Sequence, residues 1–456
     1  SADAYLQQGF VASQELFGRP LISICFATIH QLTGIPLLYA GQLLNSVFYA
    51  LLCVGFVATV RALGGDRRVQ LIAAVVILSH PILNDHRSSI MRDPAYWAFI
   101  MLAFRELLLY SRAPSLGGQL RWFAYVAIAS LFRFEGLFFA VLAPLSLLAM
   151  RNSEHKWRLC LRLWLPQAIV VGIAMGTALF VKSTMDPSAR LFPAIERYIR
   201  KLFSLPDAFA ELSASVGETM LGFSSREDAT LALVSGLAAV LLINILRAIL
   251  WPWVLVLLWG WKDRISSRLR PDDVTLLNSH LLISFTYLAA FTLINHFMLE
   301  RYACQLVIFL LLYLPFILNS LWHDASKPWK KVLVLALLLG MSLDSLYNTD
   351  YRKAFIRDAR DWVLVNTPED ASITSNDKYL AYFSQRDFDW DNATRIGFSL
   401  SRTLEDEAVW RDRDYLVMMV RKRDAALWKE FIREHSLKPS KVFDGGRHGK
   451  VFVVQL

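Results

Sequence analysis

Residues 36–60 read PLLYAGQLLNSVFYALLCVGFVATV, without one Asp, Glu, Lys or Arg. A helix needs about 20 mostly apolar residues to cross a hydrocarbon layer of about 30 Å, so this stretch is long enough to span one. Arg61, Arg67 and Arg68 follow at once, and then a second apolar run at 69–84. Outward from this pair the pattern repeats at 94–111, 120–133, 136–150, 163–183, 229–261, 275–294, 303–321 and 330–346. The sequence therefore predicts about ten transmembrane helices. The run at 229–261 is too long for one straight span, and Arg247 and Pro252 predict a kink or two pieces. The two short runs between 120 and 150 meet at the polar Arg133-Phe134-Glu135-Gly136.

Alternate loops carry the positive charge. They hold Arg61, Arg67 and Arg68; Arg112 and Arg121; Arg151, Lys156, Arg158 and Arg162; Lys262, Arg264, Arg268 and Arg270; and Lys327, Lys330 and Lys331. Such loops face the cytoplasm by the positive-inside rule. The outer set is then residues 1–35, the loop at 85–93, the Arg133/Glu135 turn, the loop at 184–228, the turn at Glu300-Arg301-Tyr302 and everything after about 347. The opening Ser1-Ala2-Asp3-Ala4-Tyr5-Leu6 has neither the basic nor the apolar region of a signal peptide. With residue 1 outside, one further span is expected ahead of it, about eleven in all.

Composition agrees. The chain of 456 residues is 55% hydrophobic and 19% charged, below the roughly 25% charged of soluble domains, which excludes a disordered or fibrous chain and argues against a cytosolic one. The 48 basic residues exceed the 39 acidic ones, giving +9. Because that excess lies between apolar runs, it points to membrane lipids as partners and not to nucleic acid. Cys25, Cys53, Cys160 and Cys304 are far apart and read as small apolar fillers. No glycine-rich phosphate loop is present.

After Leu346 charged residues alternate with β-like runs at Ala371–Thr374, Tyr415–Val420 and Val451–Val454, separated by helical stretches such as Ala425–His435. That alternation predicts an α/β domain over 347–456, with Gly445-Gly446 as a hairpin turn between edge strands. The fold class is thus a polytopic α-helical membrane protein, residues 1–346, with a C-terminal extracytoplasmic α/β domain.

Ionisable groups at the ends of spans mark either a functional cavity or a paired structural site. Asp3, two residues before Tyr5, is compatible with a solvated carboxylate at a frayed terminus or with a general base at the membrane surface. The loop from Asn84 to Pro94 packs Asp85, His86, Arg87, Arg92 and Asp93 between two spans. Its ions either flank a helix start, with Pro94 at the first turn, or clamp a phosphate through arginine pairs. Asp85, His86 and Asp93 also suit a divalent metal. Arg133 and Glu135 read as a packing pair or as site residues, and Arg190, Arg197, Arg200 and Lys201 add positive charge to the same outer face. Arg105 and Glu106, near the cytoplasmic end of their span, are expected to snorkel.

In order along the chain, Asp3-Ala4-Tyr5, Gly18-Arg19-Pro20-Leu21 leading to Leu32-Thr33-Gly34, Arg92-Asp93, Arg133-Phe134-Glu135-Gly136 and Glu300-Arg301-Tyr302 resemble the GT-C superfamily of integral membrane glycosyltransferases. The similarity is to bacterial enzymes of the protein-mannosyltransferase and lipid A aminoarabinose-transferase type, and it covers the whole chain. It implies sugar transfer from a polyprenyl-phosphate donor at the outer face of the bacterial inner membrane, usually with inversion. The acceptor would be a lipid, glycan or protein; no cofactor is required, and the divalent metal just named is an option that the residues leave open. By position, the resemblance makes Asp3 the general base and Arg301 the phosphate clamp, with Arg92 and Arg133 behind it. Asp93 or Asp85 would be the second acid, and Tyr5, His86, Arg87, Glu135, Glu300 and Tyr302 would support them. The residues alone leave three alternatives open: a transporter or flippase for a lipid-linked or anionic substrate, an O-antigen ligase-like enzyme, and a non-enzymatic scaffold whose outer domain binds a partner.

Overall fold

The computed structural model describes residues 1–16, 20–87, 89–151, 155–184, 200, 203–221, 227–263, 269–323, 328–346 and 354–456. Gly18, Arg19, Arg190, Arg197, Lys201, Arg264, Arg268 and Lys327 lie outside these residues. The chain divides into two compact units, Ser1–Leu346 and Tyr347–Leu456.

The first unit is helical. Residues 1–35 form three helices, α1 (Ala2–Gln8), α2 (Phe10–Leu16) and α3 (Leu21–Thr33). Pro20 stands at the start of α3, and Gly34 ends it at φ 72°, a left-handed cap that glycine adopts without steric cost. Next come α4 (Leu37–Ala62), α5 (Arg67–Leu78), α6 (Pro81–Asp85), α7 (Asp93–Arg112), α8 (Leu116–Phe132) and α9 (Gly136–Leu142). A 3-10 turn over Ala143–Ala149 leads to α10 (Lys156–Thr184), followed by α11 (Leu205–Thr219), α12 (Ala229–Ile249) and α13 (Trp251–Lys262). The unit closes with α14 (Pro271–Asn295), α15 (Glu300–Leu311), α16 (Leu314–His323) and α17 (Trp329–Leu346).

The long run at 229–261 is two helices, broken at Leu250, whose φ is 74°. Among the described residues four helices are each long and apolar enough to cross a membrane: Leu37–Ala62, Lys156–Thr177, Ala229–Ile249 and Pro271–Asn295. The pair Glu300–Leu311 and Leu314–His323, bent by 43°, makes a fifth if counted as one span. The protein is a mostly helical multi-span membrane protein. Its central helix is α7, packed between α4 and α8, with Tyr96, Trp97, Met101, Phe104 and Leu107 buried.

The second unit holds α18 (Ala354–Asn366), β1 (Ser372–Thr374), α19 (Lys378–Phe383), β2 (Asp387–Phe388), α20 (Trp390–Arg395), α21 (Leu400–Glu405), α22 (Glu407–Trp410), β3 (Tyr415–Val420), α23 (Ala425–Glu434), β4 (Pro439–Asp444) and β5 (Lys450–Gln455). The mixed sheet runs β2-β1-β3-β5-β4. β1 is parallel to β2 and β3, whereas β5 is antiparallel to β3 and β4. Successive side chains of a strand face opposite sides. Val417 accordingly joins Ile373, Val453 and α18's Phe355, Ala359 and Val363, while Leu416, Met418 and Val420 pack with Trp428 and Phe431 on the other face. The turn at Gly445-Gly446 does join β4 to β5, but of these two strands only β4 is an edge. β5 lies inside the sheet, because its Val451, Val453 and Val454 need cover on both faces.

Candidate active site

Asp93 opens α7, Arg133 closes α8, Glu135 begins the turn into α9, and Arg301 and Tyr302 stand in the first turn of α15. These positions, far apart in sequence, meet around one cavity of about 640 Å³. Its polar wall is Arg92, Asp93, Arg133, Glu135, Arg301, Tyr302 and Ser23. Ile22 and Phe26 of α3, Ile90, Met91 and Phe291 of α14 complete the lining and give it an apolar flank.

Arg133 is the strut of this site. It is 7% exposed; its Nη1 donates to Asp93 Oδ1, and its Nε and Nη2 form a two-bond fork with Glu135, the Nε bond at 3.1 Å. The guanidinium carbon also lies 5.7 Å from the Tyr96 ring centre and 5.0 Å from that of Tyr302, a stacking that favours a delocalised cation. The tight turn behind it requires Gly136. A Cβ there would stand 2.6 Å from the Ser130 amide nitrogen, well inside van der Waals contact, so Gly136 lets the chain reverse and aims Arg133 and Glu135 together.

Arg301 is held more loosely. Its Nη2 donates to the Tyr302 hydroxyl at 3.1 Å, its guanidinium lies over the Tyr302 ring at 5.0 Å, and its buried Nε has no hydrogen-bond partner among the described residues. A buried N–H without an acceptor costs free energy that a bound anion would recover. Tyr302 is fixed from behind, because Tyr287 donates its hydroxyl proton to the Tyr302 carbonyl at 3.0 Å.

The rest of the expected site does not line this cavity. Asp3 and Tyr5 are half-buried on α1, which packs against α3, the helix that supplies Ile22, Ser23 and Phe26. Asp85 and Arg87 are exposed. The His86 and Arg87 carbonyls accept from Asn45 Nδ2 at 3.3 and 2.8 Å, and His86 tilts against Trp97 with ring centres 6.1 Å apart. Glu300 points toward Arg247 at 4.0 Å. Among the described residues no three His, Cys, Asp or Glu side chains gather as a metal site would need. Sequence reasoning missed the α3 wall, Phe291, Tyr96 and Tyr287. Only α3 left a signal, Pro20 and Gly34 bracketing a helix-length apolar run.

At the other end of α7 the expectation of snorkelling fails for Glu106. Glu106 is 3% exposed and accepts from Arg105 Nη1 at 2.8 Å and from Arg121 Nε at 2.9 Å. With two arginines to neutralise it, the carboxylate is stable inside the protein and has no need to reach water.

No protein-family model matches the sequence, and no curated protein matches it. Among solved structures, ArnT from Cupriavidus metallidurans, crystallised bound to undecaprenyl phosphate, superposes at a TM-score of 0.51 and 13% identity, over 96% of this chain and 87% of that one. The Archaeoglobus fulgidus oligosaccharyltransferase, tethered to an acceptor peptide containing the NVT sequon, gives 0.38 at 14% identity over 80% and 50%, too low to bear on the fold. Over nearly its whole length, this chain is similar in fold to ArnT.

Proposed function

We propose that the helical unit transfers a sugar from a polyprenyl-phosphate donor to an acceptor on the outer face of a bacterial inner membrane, with the unit from Tyr347 extracytoplasmic and about ten spans in between. The observation that carries this reading is the meeting of Arg92, Arg133 and Arg301 around one cavity with an apolar flank. The likeness in fold to a protein solved with undecaprenyl phosphate bound supports it.

Such a donor brings a charged phosphate on a lipid tail, so the protein needs an opening beside the bilayer, cations at the phosphate and one base. Arg301 is the primary clamp, since its Nε is unmatched, with Arg92 beside it. Arg133 spends its hydrogen bonds on Asp93 and Glu135, so it positions the other groups and adds long-range positive charge. Asp3, on the helix α1 that packs against α3, is the base. It takes the acceptor's hydroxyl proton as that oxygen bonds to the anomeric carbon. The bond from that carbon to the phosphate oxygen breaks, and the electron pair leaves with the polyprenyl phosphate, inverting the centre.

The test is release of free polyprenyl phosphate from a panel of polyprenyl-phosphate sugars by reconstituted protein, with a membrane extract as acceptor. Release that D3N and R301A abolish in folded protein supports the reading. No release with any donor from folded protein sinks it, and release undiminished in D3N removes Asp3 as the base.

A further inference from the structure

A second cavity, of about 770 Å³, lies at the far end of the same helices. α7 begins at Asp93 in the first cavity and ends at Arg112 in the second, and α14 runs from Asp272 and Asp273 in the second to Phe291 in the first. At 1.5 Å per residue, the 20 residues of α7 separate the two by about 30 Å, a hydrocarbon thickness. The second cavity therefore sits at the opposite membrane face.

Its charged lining is four arginines, Arg112, Arg158, Arg162 and Arg270, against Asp272 and Asp273. Both acids are occupied: Asp273, 2% exposed, accepts from Arg112 Nη2 at 2.6 Å, and Asp272 Oδ1 accepts the Arg151 amide proton at 2.8 Å. Arg158, Arg162 and Arg270 are exposed, and no described residue gives their side chains an ion pair. Arg158 and Arg162 are four residues apart on α10, where like charges repel unless an anion lies between them, and Arg270 reaches the same cavity from the start of α14.

Guanidinium edges match phosphate oxygens two at a time, so the lining suits a phosphate. The surface of α10 decides what carries it. Leu161 and Leu165, 57% and 55% exposed, continue the face of Arg158 and Arg162 at three- and four-residue spacing, so the surface passes from cationic to apolar along the helix. We propose that this cavity binds the phosphate of an anionic lipid headgroup at the membrane face opposite the candidate active site, with the acyl chains along Leu161 and Leu165. Isolated snorkelling arginines would each meet lipid separately, whereas these converge from two helices on one volume.

The test uses the full chain in nanodiscs of phosphatidylcholine alone or doped with cardiolipin, with retained lipid counted by native mass spectrometry and Tm read alongside. Wild type should retain cardiolipin in preference to phosphatidylcholine. R158A/R162A should reduce that retention by about tenfold or more, and R158K/R162K should restore part of it. R270A, on a separate helix, should act in the same direction and guards against a local defect in α10. Inorganic phosphate forms the other arm: a rise in Tm through these arginines without any lipid preference would overturn the lipid assignment in favour of a soluble phosphate compound. Equal retention in all variants, with the protein folded, would overturn the site.

Discussion

In the cavity lined by Asp93 and Glu135, two carboxylates share one arginine, Arg133, which is closed in by Tyr96 and Tyr302. In the cavity at the other end of α7, Arg112 is 28% exposed where it meets Asp273, and three further arginines stand at the surface. The first arrangement is buried and paired; the second is cationic and exposed. A buried, fully bonded arginine holds helices in place, and an arginine with unused donors is available to a ligand. Arg301, beside Arg133 but with an unmatched Nε, belongs to the second kind although it shares the first cavity.

R133A should give the largest effect, because it leaves the buried Asp93 and the half-buried Glu135 without this cation. About 3–5 kcal/mol of stability is expected to go, read as a lowered Tm in detergent. R112A admits water to Asp273 and should cost less; an equal loss would break the contrast between the cavities. R301A should keep the Tm and lower sugar transfer by about 100- to 1,000-fold, the usual effect of removing one well-aimed donor to developing charge. G136A sharpens the comparison further. By driving a Cβ against Ser130 it should cost about 1–3 kcal/mol and reduce transfer, since Arg133 and Glu135 move with the turn.

The smallest effect concerns the sheet unit, whose charged groups are mostly solvated. Asp389 is held below the ordinary carboxylate range by hydrogen bonds from Asn392, Asp414 by those from Ser372, and Asp444 by the Lys450 ammonium and then the Gly446 amide. Their folded values lie below the unfolded value of about 3.9. The stability they contribute is therefore complete above that pH and is lost as acid carries the pH down through the folded values. Amide exchange in β1, β3 and β5 should speed up modestly in that window, and D414N should flatten the change.

Much of the architecture was legible because its signals are local. The break within 229–261 needed only length, Arg247 and Pro252, and β3 at Tyr415–Val420 stands out as an apolar run in a charged neighbourhood. β2 has two residues and β4 is almost wholly exposed, so neither shows the alternation by which a half-buried strand is recognised. Helices α1 to α3 were read as an outer loop because α1 and α2 are too short for a clear period. Arg92, Arg133 and Arg301 were each chosen as outer cations, but their meeting on one cavity follows from how α7, α8 and α15 pack. The burial of Glu106 is hidden from the sequence for the same reason: its partner Arg121 lies on the next helix.

The positive φ at Leu250 also settles a question of length. α12, with 21 residues, covers about 32 Å at 1.5 Å per residue and already matches the hydrocarbon slab. The 12 residues of α13 would add about 18 Å along the same line, an overhang that a straight helix relieves only by tilting or by thickening the bilayer. Because Leu250 interrupts the helix, while its carbonyl still accepts from the Trp253 and Val254 amides at 3.0 and 3.1 Å, α13 is free to leave the line of α12 at a single residue. A membrane around it would then not have to thicken to cover both helices.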